Sequence, residues 1–285
     1  FDALVDSADV LFGVPDVDAG QLARTVAANP KLRWVMTTAA GGGSTVKAAA
    51  LAQTDLERVV FSTTAGVHAG PLAEFAVFGV LAGAKNLPRL RADQVAGIWP
   101  DRWEMRQVDA MTVLVVGLGG IGAECARRLH ALGARVWGTT RSGEPVTGVD
   151  RLIPLDDLVS AVREVDAIIV TLPGTQQTHH LIGEGLLRAV RPGVTVVNVG
   201  RGTVIDEGAL VAALDDGRVG FAALDVFEVE PLPAESPLWR HPHVLISPHT
   251  AAISSLEEER IARRFADEAT RLLDGRPLNS PVNTL

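Results

Sequence analysis

Residues 112–122, TVLVVGLGGIG, constrain the fold of this chain more than any other stretch. Thr112–Val116 is an unbroken run of β-branched and aliphatic residues, which is typical of a strand buried on both faces of a parallel sheet. Gly117, Gly119 and Gly122 then follow with the spacing G-x-G-x-x-G. Before a helix, these glycines allow a tight turn, close approach of a pyrophosphate and close packing of the helix on the strand. The stretch therefore predicts a dinucleotide-binding unit.

Strands and helices continue to alternate after this unit. We expect strands at Ala134–Gly138, Ala167–Thr171, Thr195–Val199, Gly220–Leu224 and Val244–Ser247. Helices are expected at Leu155–Arg163, Gly185–Val190 and Glu207–Asp215. This alternation predicts an α/β fold with a Rossmann-type doubly wound parallel sheet.

Shorter strands come before it, at Asp9–Gly13, Leu32–Thr37 and Val59–Ser62, with a helix at Asp18–Ala28. They predict a second, smaller α/β sheet. The glycine-rich loop Ala39–Ser44 is either a flexible connection or a nest of backbone N–H groups that holds a carboxylate.

Two long helices bear on the domain organisation. Pro71–Ala84 is apolar on most sides, which favours burial against another domain or subunit and a homodimer through this helix. Leu87–Arg106 is polar and is expected to be a connecting arm. The last helix, Leu256–Leu273, follows all the candidate site residues. We therefore expect a dinucleotide-binding domain at 70–253, inserted in a substrate domain made of 1–69 and 254–285.

Composition excludes several classes of protein. A net charge of −8 and a pI near 5.4 argue against a nucleic-acid or anionic-membrane surface. The single cysteine, Cys125, forms no internal disulfide, and no apolar run reaches membrane-spanning length. We expect a cytoplasmic protein with a small-molecule substrate.

The end of the second strand indicates the cofactor. A site for NAD usually carries an acid there, which binds the ribose 2′-hydroxyl. Here Thr140, Arg141 and Ser142 follow the strand, with no acid among them. A guanidinium with two hydroxyls suits a 2′-phosphate, so NADP(H) is favoured and NAD(H) stays possible. The alternative is that Arg141 is an ordinary solvated residue.

Candidate catalytic residues follow three later strands, at the end of the sheet where ligands of open α/β folds bind. Arg201 follows one strand, the acidic segment 225–233 the next, and His249 the last. An arginine can hold a carboxylate and polarise a carbonyl, and a histidine supported by a carboxylate can supply a proton. These residue types suit the reduction of a 2-keto acid.

The segments VGLGGIG, TLPGTQQT, VVNVGRGTVIDEGAL, ALDVFEVEPLP and SPHTA together resemble the D-isomer-specific 2-hydroxyacid dehydrogenase family over nearly the whole chain. The resemblance implies an oxidoreductase in which Arg201 binds the substrate's carboxylate and carbonyl. His249 is implied as the proton donor or acceptor, with Glu230, not Glu228, as its partner.

The same resemblance implies the binding residues. Those of the cofactor are Gly117, Leu118, Gly119, Gly120, Ile121, Gly122, Thr140, Arg141, Ser142, Leu172, Pro173, Thr178, Val199, Gly200, Asp225 and Ala251, of which Asp225 contacts the nicotinamide amide. Those of the substrate are Ala40, Gly41 and Gly42, together with Arg201 and His249. The smaller domain is expected to be flavodoxin-like and to be truncated, since family members usually carry another strand and helix before the segment that matches Asp9–Gly13.

Within the family, Arg141-Ser142 and the segment SPLWRHPHVLISPHTAA look most similar to glyoxylate/hydroxypyruvate reductases. The alternatives are a phosphoglycerate dehydrogenase or another D-2-hydroxyacid dehydrogenase, and a nucleotide-sensing binding protein of corepressor type. A sensor needs only the cofactor site, so the presence of all three catalytic residue types favours an enzyme.

The other histidines are expected to be structural or at the surface. His179 and His180 lie in a predicted surface loop, and His241 and His243 flank a proline. Since no zinc-ligand spacing is found, we expect no metal site.

Overall fold

The structure is a computed structural model that describes residues 7–13, 18–38 and 43–282. The chain divides into two units. The central unit runs from Ala69 to Ile253, and the terminal unit combines Phe1–His68 with Ser254–Leu285.

A seven-stranded parallel sheet organises the central unit. Its strands are β4 (Thr112–Val116), β5 (Arg135–Thr139), β6 (Arg151–Leu152), β7 (Ala167–Val170), β8 (Val194–Asn198), β9 (Val219–Leu224) and β10 (Val244–Ile246). The spatial order is β10-β9-β8-β7-β4-β5-β6, so the winding direction reverses between β4 and β7. This is the predicted doubly wound sheet, and such a reversal opens a crevice at the carboxyl ends of the two strands.

Successive side chains along the central strands belong to two separate hydrophobic cores. Leu114 and Val116 belong to one cluster, whereas Val113 and Val115 belong to the other. All four are fully buried. A strand covered on both faces has no solvated side, which explains why β4 is a continuous apolar run instead of an alternating one.

Helices cover both faces. They are α4 (Ala69–Ala84), α5 (Leu87–Ala96), α6 (Gly120–Ala131), α7 (Leu158–Ala161), α8 (Glu184–Ala189) and α9 (Glu207–Asp215). The apolar surface of α4 packs against α6, β8 and β9 of its own unit. Among its large apolar side chains, Phe78 is the one that is strongly exposed, at 48%. Most of the apolar surface that favoured an intersubunit contact is therefore covered within this chain.

The terminal unit holds the smaller parallel sheet, in the order β1 (Val10–Phe12), β2 (Trp34–Met36) and β3 (Val60–Ser62). Its helices are α1 (Ala19–Ala28), α2 (Gly43–Ala48), α3 (Gln53–Arg58) and α10 (Glu257–Leu273). Asp18 caps α1 as expected, accepting the N–H of Gln21 at 3.0 Å.

The C-terminal segment completes this unit. Phe265 of α10 stacks on the buried Trp34 at a ring-centroid distance of 5.1 Å. Val282 donates its N–H to Phe61 at 2.8 Å, and Pro281 bridges to Ser62. The first and last parts of the chain thus share one core.

Four local predictions were incomplete. The predicted connecting arm contains a helix, Leu87–Ala96, because Asn86 caps it and Pro88 suits a first turn. The short α3 and the two-residue β6 were not anticipated. Helix α2 begins at Gly43, inside the stretch predicted to be a loop.

No helix in the described ranges has the length and apolar character to cross a membrane.

Candidate active site

Arg201 lies at the carboxyl end of β8, in a loop held by hydrogen bonds between the Asn198 side chain and the backbone. Asn198 accepts the N–H of Gly200 at 3.0 Å and donates its side-chain amide to the carbonyl of Arg201 at 3.0 Å. The guanidinium donates to the carbonyl of Gly200 at 2.7 Å, and the side chain remains exposed. The cation is therefore held by its own loop and stays accessible to a ligand.

Close packing at Gly202 joins this loop to the one after β9. A Cβ at Gly202 would lie 1.8 Å from the carbonyl carbon of Phe227. Only glycine permits this approach. The contact sets Arg201 beside the segment that carries Glu230.

Glu230 and His249 form a directly hydrogen-bonded pair. The carboxylate oxygen Oε2 lies 2.7 Å from Nδ1 of the imidazole, and Oε1 accepts the N–H of Phe227 at 3.0 Å. Burial opposes ionisation of Glu230, but the hydrogen bonds from His249 and Phe227 and the charges of His249 and Arg201 outweigh it. Together they hold the pKa of Glu230 below its ordinary value. Since Nδ1 is engaged, Nε2 is the nitrogen left for a substrate.

Asp225 shapes the loop that carries the histidine. It is almost completely buried, and its Oδ1 accepts the hydroxyl of Ser247 at 2.6 Å and the N–H groups of Thr250 and Ala251, each at 3.0 Å. Its carbonyl accepts the N–H of His249 at 2.9 Å, which supports that residue at a left-handed φ of 55°. Oδ2 is buried and has no hydrogen-bond partner among the described residues. It is therefore free to accept a hydrogen bond from a ligand.

The glycine turn lies beside this edge, between β4 and α6. A Cβ at Gly122 would lie 2.0 Å from the carbonyl oxygen of Gly117, which shows the close packing expected of the third glycine. Gly119 is the N-cap of α6, so the N–H groups of the first helical turn, from Gly120 onward, lack intrahelical acceptors. Leu118 donates its N–H to Thr139 at 2.7 Å and buries its side chain. The turn is a ready anion site.

Arg141 lies just beyond β5. The hydroxyls of Thr140 and Ser142 lie 3.1 Å apart, and Ser142 also accepts the N–H of Glu144 at 3.2 Å. Arg141 itself is exposed, and no acidic side chain in the described ranges forms an ion pair with it. The guanidinium is accessible to an anion.

The remaining predicted cofactor residues lie along the same edge of the sheet. Thr178 donates its hydroxyl to the carbonyl of Pro173 at 2.6 Å, next to Leu172, and Val199 continues β8 by donating to Val170. The predicted substrate residues Ala40, Gly41 and Gly42 lie outside the described residues.

One set of contacts near the site was missed from the sequence. His180 has a left-handed φ of 50°, and its Nε2 lies 2.9 Å from Glu228, while Nδ1 lies 3.8 Å from Asp206. Glu228 and Glu207 each accept the other's backbone N–H. Burial and the charge of Glu228 raise the pKa of Glu207 despite the hydrogen bond from Glu228. Glu228 was not predicted to be the partner of His249, and in the structure it links the loops after β8 and β9 instead. No local spacing in the sequence indicates this link.

The comparisons with known proteins agree with this architecture. The sequence model of the D-isomer specific 2-hydroxyacid dehydrogenase NAD-binding domain matches residues 77–251, well over half of the chain. The chain belongs to this family. The match spans the glycine turn and all three candidate catalytic residues.

Individual relatives and solved structures are also similar to this chain. The glyoxylate/hydroxypyruvate reductase A of Salmonella newport is 35% identical over 216 residues, which are 74% of this chain and 67% of that protein. A family member from Aeromonas salmonicida has 30% identity and a TM-score of 0.81, covering 100% of this chain and 88% of that one. A member from Xanthobacter autotrophicus, solved with NADPH and MES, has 33% identity and a TM-score of 0.79, covering 91% and 80%. The chain spans about two thirds of the length of the curated relatives that it matches, 65% and 67% in two cases.

Proposed function

We propose that this chain is an NADP-dependent reductase of small 2-keto acids, of the glyoxylate/hydroxypyruvate type. The observation that carries the proposal is the hydrogen-bonded pair of Glu230 and His249, 2.7 Å apart, in one pocket with Arg201. This pocket, which we call the polar pocket, has a volume of about 390 Å³. A fixed cation and a carboxylate-supported imidazole are the groups that reduction of a 2-keto acid requires.

The residues of the sheet edge fit a nicotinamide cofactor. The unpartnered Oδ2 of Asp225 suits the N–H donors of a carboxamide, the first turn of α6 suits a pyrophosphate, and Arg141 suits a 2′-phosphate. When bound, NADPH supplies the hydride that is added to the substrate's carbonyl carbon. The NADPH-bound relative from Xanthobacter supports this preference over NADH.

Each catalytic residue then has a separate task. Arg201 binds the substrate carboxylate and polarises the carbonyl, which stabilises the negative charge that develops on its oxygen. His249 donates the proton from Nε2 to that oxygen, so that the product is the 2-hydroxy acid. Glu230 holds the ring by Nδ1 and stabilises its protonated form before the transfer.

We also propose which unit binds the cofactor and which contributes to substrate binding. The central unit binds the cofactor, and the terminal unit contributes the substrate carboxylate site through the backbone of Ala40–Gly42. The chain is proposed to act in the cytoplasm.

A screen of NADPH oxidation tests the proposal directly. Glyoxylate, hydroxypyruvate, pyruvate and phenylpyruvate should each be tried with NADPH and NADH, using the full-length protein. Reduction with a clear preference for NADPH is the expected result. Cofactor binding without turnover of any 2-keto acid would contradict an enzymatic role and favour a nucleotide-sensing protein.

We further propose a homodimer through α4. Phe78 on α4 is 48% exposed, and the apolar side chains of Val95, Ile98 and Trp99, on or just after α5, are exposed as well. Exposed apolar groups favour association, and a second copy of the chain is the simplest partner. Light scattering at micromolar concentration should give twice the chain mass of 30.1 kDa, and a monomer mass would refute the dimer.

A further inference from the structure

The side chain of His180 connects three loops at the carboxyl end of the larger sheet. His180 itself belongs to the loop after β7. Its Nε2 lies 2.9 Å from Oε1 of Glu228, in the loop after β9, and its Nδ1 lies 3.8 Å from Oδ2 of Asp206, at the end of the loop after β8. The ring thus lies between two carboxylates that come from different loops.

The backbone around His180 is held against the loop after β8. His180 donates its N–H to the carbonyl of Thr203 at 2.9 Å, and Ile182 donates its N–H to Val204 at 3.0 Å. His180 has a left-handed φ of 50°, which is unfavourable for a residue with a Cβ and persists where the surrounding structure holds it. The Cα atom of His180 is therefore fixed relative to this loop.

Glu228 is linked through its neighbour to the residues of the polar pocket. It follows Phe227, whose N–H donates to Oε1 of Glu230 at 3.0 Å and whose carbonyl carbon packs against Gly202. Gly202 in turn follows Arg201, and Glu228 lines the polar pocket together with Arg201 and Glu230. A displacement of Glu228 would therefore move both Arg201 and Glu230.

The carboxylates around His180 repel one another. Glu207 adds a third acid, since Glu207 and Glu228 each accept the other's backbone N–H. Burial and the charge of Glu228 raise the pKa of Glu207. In the described ranges, none of Asp206, Glu207 and Glu228 forms an ion pair with a cation other than His180. A protonated imidazole is the group that compensates for their charge.

We propose that His180 is a positioning residue: by attracting Glu228 and Asp206, it holds the loops after β8 and β9 together and keeps Arg201 and Glu230 aligned in the polar pocket. The inference rests on the proposed reductase function. His180 acts through the two loops and not by contact with the reacting atoms.

Steady-state kinetics of His180→Leu test this role. Because a displacement of about 1 Å can cost up to roughly 100-fold, we expect KM for hydroxypyruvate to rise and kcat/KM to fall about 10- to 100-fold. KM for NADPH should stay nearly unchanged, since the glycine turn and Arg141 follow β4 and β5. A substitution that merely destabilised the fold would reduce the active fraction, and kcat with it, without changing either Michaelis constant. An unchanged KM for hydroxypyruvate therefore refutes the proposal, whatever happens to kcat.

The matched control is His241→Leu. It removes a histidine whose Nε2 lies 3.5 Å from a carboxylate oxygen of Asp215, at the opposite end of the sheet. Both Michaelis constants should stay unchanged in this variant. An equal rise of KM for hydroxypyruvate in His241→Leu would show that any lost histidine–carboxylate pair has this effect, and it would overturn the specific role of His180.

A second substitution tests the contact itself. Glu228→Gln removes the charge but keeps an acceptor for the N–H of Glu207, so the backbone contact between the loops is retained. If His180 and Glu228 act through one contact, the double variant should be no more impaired than the worse of the two single variants. A loss equal to the product of the two single losses would show independent effects and overturn the proposal.

A crystal structure of His180→Leu with NADP⁺ gives a readout that does not depend on turnover. The contact between Gly202 and Phe227 should open, and the 2.7 Å distance between Glu230 and His249 should lengthen. Loops in unchanged positions would overturn the proposal even if activity were lost. If the parent enzyme reduced no 2-keto acid, the proposed function would fail, whereas displaced loops in the variant would still support the positioning role.

Discussion

The role of the negative charge on Glu230 can be tested by a single substitution that keeps the hydrogen bond to His249. In Glu230→Gln the imidazolium of His249 loses its counter-charge, so the alkaline limb of keto-acid reduction should move to lower pH. The measurement is a pH–rate profile of kcat/KM, with Glu235→Gln in the same segment as an exposed control. An unmoved limb would mean that another group supports the histidine.

The lowered pKa of Glu230 also affects stability. Its interaction with His249 is fully present above the ordinary glutamate pKa and is lost as the pH falls through the lowered value of the folded state. The pair therefore supports the fold throughout the neutral range.

The geometry of the guanidinium matters as much as its charge. Arg201→Lys keeps a cation but cannot make a two-pronged contact with a carboxylate, so kcat/KM should fall about 10- to 100-fold. Steady-state kinetics measure the loss, and Arg188→Lys, an exposed position on α8, is the control. Activity close to that of the parent would assign substrate binding to other residues.

Arg141 should determine the choice of cofactor. Because charge-assisted contacts to a phosphate are strong, Arg141→Ala should raise the Michaelis constant for NADPH about 10- to 100-fold and leave that for NADH nearly unchanged. The exposed Arg163→Ala serves as the control. Equal losses for both cofactors would show a structural role.

Much of this site could be predicted at the level of single residues, but not all of it. Arg201 and His249 follow strands whose order along the chain is plain, and parallel strands end at one edge of a sheet. The choice of Glu230 over Glu228 came from the family resemblance. The contact of His180 with Glu228 joins distant segments through a left-handed residue, so no local pattern indicates it. The orphaned Oδ2 of Asp225 emerges only from the packing around it.

At the level of elements, the loops after β8 and β9 depend on Gly202. Gly202→Ala would force a Cβ against the carbonyl of Phe227, and overpacking of this kind costs about 1–3 kcal/mol or more. Thermal unfolding should show a lowered Tm, together with lost activity. Gly185→Ala on α8 is the control, because its Cβ meets no atom within 4 Å and alanine favours a helix. Equal Tm values for the two variants would contradict the close packing.

The helices show where sequence patterns succeed and fail. Helix α1 was predicted from its capping aspartate and its amphipathic pattern, and the structure confirms it. The charged residues spread along Leu87–Arg106 favoured a connecting arm, so helix α5 was missed, although Asn86 and Pro88 are recognisable starting signals. For α4, the apolar composition indicated that the helix is buried. It did not indicate which element covers the helix, because the hydrophobic effect is non-directional.

At the scale of the whole molecule, the predicted cofactor residues all lie in the central unit. NADPH should therefore stabilise the folded chain by mass action, by about 2.7 kcal/mol at one hundred times its dissociation constant. Differential scanning calorimetry measures the shift, and Arg141→Ala should shrink it for NADPH alone. No shift at saturating NADPH would contradict the proposed cofactor.

The interrupted sequence of the terminal unit has a consequence for synthesis. On the ribosome, β1, β2 and β3 emerge before the central unit, whereas Phe265, which covers Trp34, and Val282, which binds Phe61, emerge last. The nascent chain must therefore carry a half-covered sheet while about 185 residues of the central unit are translated and fold. Until Phe265 and Val282 emerge, Trp34 and Phe61 lack these partners, so we expect the early segment to expose apolar surface during this interval.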